Sequence, residues 1–103
     1  MIKKMEITPT ENNRINLILE GDLYVEQAAE LRERLLQEID RGVHYIDIDM
    51  NNLNYIDSSG LGVLIAIQKR CIKKGGAVMI YGVHGKIKEL FELTRLNKVF
   101  NME

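Results

Sequence analysis

Tyr45-Ile46-Asp47-Ile48-Asp49-Met50, followed after Asn51-Asn52-Leu53-Asn54 by Tyr55-Ile56-Asp57-Ser58-Ser59-Gly60-Leu61-Gly62-Val63-Leu64, is the stretch on which the fold turns. Its first six residues alternate large apolar with acidic side chains, the mark of a strand with two unlike faces, and Ile46, Ile48 and Met50 share one of them. The polar residues 51–54 read as a loop. Beyond Gly60 the pattern changes: Leu61 to Cys71 is apolar on nearly every side at its start, which predicts a buried central helix. Lys69-Arg70 and Lys73-Lys74 suit the negative end of its dipole, and Gly75-Gly76 stops it.

Toward the N-terminus, Met5–Thr8 and Arg14–Leu19 are short apolar-rich runs flanking the turn formers Pro9-Thr10-Glu11-Asn12-Asn13, and so predict a β-hairpin. After Glu20-Gly21-Asp22 the period becomes helical. Val25, Ala28, Leu31, Leu35 and Ile39 form one apolar stripe among charged residues, a helix laid on a sheet and ended by Gly42. Toward the C-terminus, Ala77–Tyr81 predicts another strand and Gly82–Gly85 a turn. Lys86–Arg95 predicts a third helix with Ile87, Leu90, Phe91 and Thr94 on one face, and Leu96–Phe100 a short apolar end. The order is ββαβαβα without a repeat or linker, which predicts one α/β domain over residues 1–103: an open mixed sheet of four to five strands packed by helices.

Composition narrows the function. With 14 Lys and Arg against 15 Asp and Glu the formal charge is −1, which argues against general attraction to nucleic acid or anionic lipid, so proteins or small ligands are the expected partners. Met1–Glu6 has two lysines without an apolar run behind them, and no later run has the length of a membrane span. A lone Cys71 cannot form an internal disulfide, which fits a reducing cytosol. The expected location is cytoplasmic.

Catalytic constellations are missing. His44 and His84 stand alone at element ends, and Cys71 sits in an apolar helical pattern, where a core role is the simpler reading. Gly60-Leu61-Gly62 lacks the third glycine of a dinucleotide fingerprint, because Ile65 holds its place, and no Walker lysine follows. Asp47, Asp49 and Asp57 read as a solvated face and a cap rather than a metal site. Neither a catalytic residue, nor a metal, nor a cofactor is expected. There remains Asp57-Ser58-Ser59-Gly60 at the mouth of the buried helix. Simple capping accounts for it at about 1 kcal/mol, yet two serines before a glycine also put a hydroxyl where backbone amides and the helix dipole favour an anion.

At Ile56-Asp57-Ser58-Ser59-Gly60-Leu61-Gly62-Val63-Leu64 the chain resembles the STAS domains, and within them the bacterial anti-sigma-factor antagonists. The resemblance extends to Leu19-Glu20-Gly21-Asp22-Leu23, Ile48-Asp49-Met50, Gly75-Gly76 and the segment Ile87–Phe100, nearly the whole chain. It implies that Ser58, directly after the aspartate, is a phosphorylation site. Asp22, Tyr24, Asp57, Ser59, Gly60 and Leu61 would then belong to the partner-binding surface around it. It implies an anti-sigma factor that is also a serine kinase as the partner, bound by the unmodified chain so that sigma is freed and released on phosphorylation, with a serine phosphatase resetting the switch.

Tyr24 departs from the family, which commonly has an acidic residue there, and thins the acidic surroundings of the serine. Many relatives also continue with a further C-terminal helix, so the resemblance implies a partly bare edge here and a monomer or weak homodimer. A second reading keeps the fold as an unphosphorylated scaffold or nucleotide-sensing module. A hydrolase using Ser58 or Ser59 comes last, lacking a Gly-x-Ser-x-Gly elbow and a placed histidine. Lys86, Lys88 and Arg95 read as the solvated side of the last helix, with no site assigned.

Overall fold

The hairpin is longer than its sequence signals. A computed structural model describes residues 1–103, and in it β1 (Ile2–Glu11) and β2 (Arg14–Leu23) pair antiparallel around a turn at Asn12-Asn13. Pro9, expected in the turn, lies inside β1 next to a register shift. That is tolerable because β1 is an edge strand whose outer donors need no partner. There follow α1 (Val25–Asp40), β3 (Tyr45–Ile56), α2 (Ser58–Lys73), β4 (Ala77–Tyr81), α3 (Gly85–Leu93), a 3₁₀ turn at Leu96–Lys98 and β5 (Asn101–Met102).

The five strands stand in the order β1-β2-β3-β4-β5, with β2, β3, β4 and β5 mutually parallel. Each parallel step moves the chain one place in the same direction across the sheet. Since such crossovers are right-handed, α1, α2 and α3 fall on the same face. Twenty-four buried apolar residues form one core beneath them. Ala28, Leu31, Leu35 and Ile39 of α1 enter it as the stripe requires, but Val25 does not. As the first residue of the helix it stands at the rim, before the stripe has turned onto the sheet.

Residues 51–54, expected as a loop, belong to β3. Twelve residues of β3 run alongside the ten of β2, and register shifts opposite Ile18–Glu20 and Gly21–Asp22 each absorb one extra residue. These β-bulges change the spacing of inward side chains from two to three, so that Met50, Leu53 and Ile56 are all buried. Burying Leu53 contributes roughly 2 kcal/mol.

Within α2, Val63, Leu64, Ile67 and Cys71 face the core beside the buried Gln68. Its amide reaches two segments: Nε2 donates to the Val99 carbonyl at 2.7 Å, and Oε1 accepts from the Val78 amide at 2.8 Å. Gly75 takes a positive φ of 83° to end the helix, and a β-carbon on Gly76 would collide with the His44 carbonyl.

The face of the sheet away from the helices is held by polar contacts. One guanidinium nitrogen of Arg14 donates to both carboxylate oxygens of Asp47 at 2.8 Å, and its carbon sits 4.9 Å from the Tyr45 ring centre. This bond raises the Arg14 pKa, and burial first, then the Asp47 charge, raises that of Tyr81. Along the β1 edge, Arg34 Nη1 donates to the Met5 carbonyl at 2.9 Å, and Pro9 offers no donor, both obstacles to edge pairing. The opposite edge carries β5, which pairs with β4 along Met79 and Ile80.

Candidate functional site

Gly60 sets the position of the α2 N-terminus. It is buried, and a β-carbon there would fall 2.6 Å from Ile56 Cγ1 and 3.0 Å from Leu23 Cδ2, so only glycine lets the helix seat this closely on β2 and β3. Asp57 caps the helix: its Oδ1 accepts from the Gly60 amide at 3.0 Å, while its own amide donates to the Leu23 carbonyl at 3.2 Å. The capping duty that Asp57 and Ser58 could have shared is therefore taken by Asp57 alone.

Ser58 is the first residue of the helix and exposed, and its hydroxyl makes no hydrogen bond within the chain. The free first-turn amides and the helix dipole favour negative charge at this end. Ser59 is half-buried one position further on. Neither histidine approaches these hydroxyls. His84 Nε2 lies 2.8 Å from the Asn51 carbonyl, and His44 contacts Asn13 and the Gly42 carbonyl. Burial pushes the Cys71 thiol up to about 11, so it remains a protonated core group at neutral pH. No three His, Cys, Asp or Glu side chains gather to hold a metal ion.

Ser58 opens onto a groove of about 540 Å³ between α2 and α3. Asn54, Tyr55, Ile56, Asp57 and Leu61 line one side, and Lys86, Ile87, Leu90 and Thr94 of the α3 region line the other. Of the residues singled out from the sequence, Asp57, Ser58 and Leu61 meet in this groove. Tyr24 stands beside it, 40% exposed, its ring 5.3 Å from that of the 47% exposed Tyr55, which does line it. Asp22 is a register partner of Tyr55, and its carboxylate is 3.1 Å from the Met1 ammonium. Gly60 shapes the site from below.

Ile87, Leu90 and Thr94 of the α3 wall were legible as one helix face, but nothing local joined that face to the serine. Lys86 follows Ser58 by 28 positions in the chain and reads as an ordinary solvated residue until the helices pack. Tyr55 stood only as a residue after the expected 51–54 loop, and its pairing with Tyr24 depends on the β2–β3 register.

A one-sided five-stranded sheet that presents the N-terminus of a capped, buried helix beside an open groove defines a small α/β domain with one candidate contact surface. The chain belongs to the STAS domain family, which matches residues 5–103. It is 30% identical over 95 residues to the anti-sigma-B factor antagonist of Staphylococcus aureus (strain NCTC 8325 / PS 47), covering 92% of this chain and 88% of that protein. Among solved structures, a putative anti-sigma factor antagonist from Thermotoga maritima superposes with a TM-score of 0.84 at 22% identity, covering 96% of this chain and 83% of that one. The Bacillus cell fate determinant SpoIIAA in its phosphorylated form gives a TM-score of 0.81 at 16% identity, covering 97% and 91%. No helix is long and apolar enough to cross a membrane.

Proposed function

We propose that this chain is a cytoplasmic anti-sigma factor antagonist that binds an anti-sigma factor serine kinase while Ser58 is unmodified, and releases it when Ser58 is phosphorylated. The observation that carries the reading is the division of labour at the α2 N-terminus. Asp57 caps the helix, and the Ser58 hydroxyl is left exposed without a partner at the rim of a groove. Transfer of the γ-phosphoryl group of ATP forms an Oγ–P bond, breaks the bond to the β-phosphate, releases ADP and sends the hydroxyl proton to a base on the kinase. The product adds about −1.5 to −2 charges to a contact surface built around a neutral hydroxyl. A coupling of about 1 to 3 kcal/mol would change affinity roughly 5- to 150-fold, enough for partner exchange without refolding. A serine phosphatase would restore the hydroxyl, and the acting form is a monomer or weak homodimer.

Incubation with ATP and the anti-sigma kinase encoded nearest to this chain, followed by intact-mass spectrometry with site mapping, tests the reading. One phosphate at Ser58, absent in Ser58→Ala, is the expected outcome. No phosphate, with the kinase active on another antagonist, would overturn it. The exposed Tyr24–Tyr55 pair, in place of the acidic surroundings usual in the family, favours one alternative, an unphosphorylated scaffold. On that reading the same experiment leaves Ser58 unmodified.

A further inference from the structure

Lys86, at the start of α3, faces the same groove as Ser58 from the other side. Its ammonium is unpaired: the four salt bridges of the molecule join Met1 to Asp22, Arg14 to Asp47, Arg34 to Glu30 and Arg41 to Glu38. The groove that the lysine and the serine both line has apolar walls, from Leu61 of α2 and from Ile87 and Leu90 of α3. The one carboxylate in the lining, Asp57, is committed to the Gly60 amide. A cation beside an apolar cleft, with no internal counter-charge, complements an apolar side chain that has a carboxylate next to it.

We propose that the groove docks an acidic-apolar segment of the partner kinase, and that Lys86 reads the state of Ser58. A large apolar side chain of the partner seats between Leu61, Ile87 and Leu90, and a neighbouring Asp or Glu pairs with Lys86. When Ser58 is phosphorylated, the phosphoryl group borders the same groove and takes Lys86 as its counter-ion. The partner's carboxylate then faces like charge instead of a cation. Release thus combines repulsion with loss of an attractive contact, and the specificity of docking lies on α3 as well as at the serine. This inference rests on the Ser58 switch proposed above.

Isothermal titration against the kinase that modifies Ser58, loaded with a non-hydrolysable ATP analogue, separates the two ideas. Lys86→Glu should weaken binding by about tenfold or more, the scale of one lost interfacial charge contact. Lys86→Gln should weaken it less. Ser58→Asp should cost less affinity in the Lys86→Gln background than in wild type, because both substitutions act on one contact. Wild-type affinity in Lys86→Glu, with Ser58→Asp still releasing the kinase, would overturn the groove proposal and leave the switch standing. Equal binding by Ser58→Asp and wild type would overturn the switch itself. A readout independent of any partner is the ³¹P titration of protein carrying phosphoserine at 58, installed during synthesis. Its second pKa should be lower in wild type than in Lys86→Gln. Identical titrations would show that Lys86 does not take the phosphate, and would sink the exchange.

Discussion

Two strand-to-helix junctions lie side by side in this molecule and are built differently. β2 enters α1 through Leu23-Tyr24-Val25, and β3 enters α2 through Ile56-Asp57-Ser58. Leu23 and Ile56 are register partners, so the junctions share one end of the sheet. At the first, a tyrosine holds the cap position, and its amide donates to the Gln27 side chain at 3.3 Å. At the second, a carboxylate caps and a glycine lets the helix seat deeply. The α2 junction thereby leaves a hydroxyl with no structural duty, whereas the α1 junction supplies aromatic contact surface.

Substitutions can break this contrast, the largest effect coming from the seat of α2. Gly60→Ala pushes a methyl group into Ile56 and should lower stability by about 1–3 kcal/mol in urea unfolding. A loss below about 0.5 kcal/mol would mean that α2 slides freely and that the junction is not rigid. Next comes the division of labour: Asp57→Ala should cost about 1 kcal/mol as a lost cap, and Ser58→Ala should stay within about 0.5 kcal/mol. The opposite ranking would return the capping duty to the serine. The smallest effect belongs to the aromatic pair. Tyr24→Ala and Tyr55→Ala should each lose about 0.5–1 kcal/mol, and the double variant less than the sum, if the rings support one another. Full additivity would make them independent surface residues.

Most of the fold was legible because its elements carry strong periodicity. Ile46, Ile48 and Met50 alternate, Ala28 to Ile39 recur at helical spacing, and both core sets are buried as that spacing requires. Reading failed where spacing itself changes. Two bulges carry β3 through Asn51–Asn54, and no period of two or 3.6 connects Met50 to Leu53 and Ile56. β5 has two residues, too few for any pattern, and is held by its pairing with β4. Gln68 is a polar residue whose burial depends on two distant backbone partners, which no local pattern encodes. At the site, Asp57-Ser58-Ser59-Gly60 announced a helix mouth, but the sequence left open which oxygen caps it. The α3 wall, with Lys86, Ile87 and Leu90, joins Ser58 only through tertiary packing.

The sheet order has a consequence for synthesis. Because the strands lie in space as they follow in the chain, each new strand adds to the edge left by the one before, and none must wait for a later strand to be inserted between two others. A ribosome releasing the chain from its N-terminus therefore delivers the sheet in assembly order. Of the residues that line the groove beside Ser58, those of the α3 region are made last, so the groove has no second wall until they have been added.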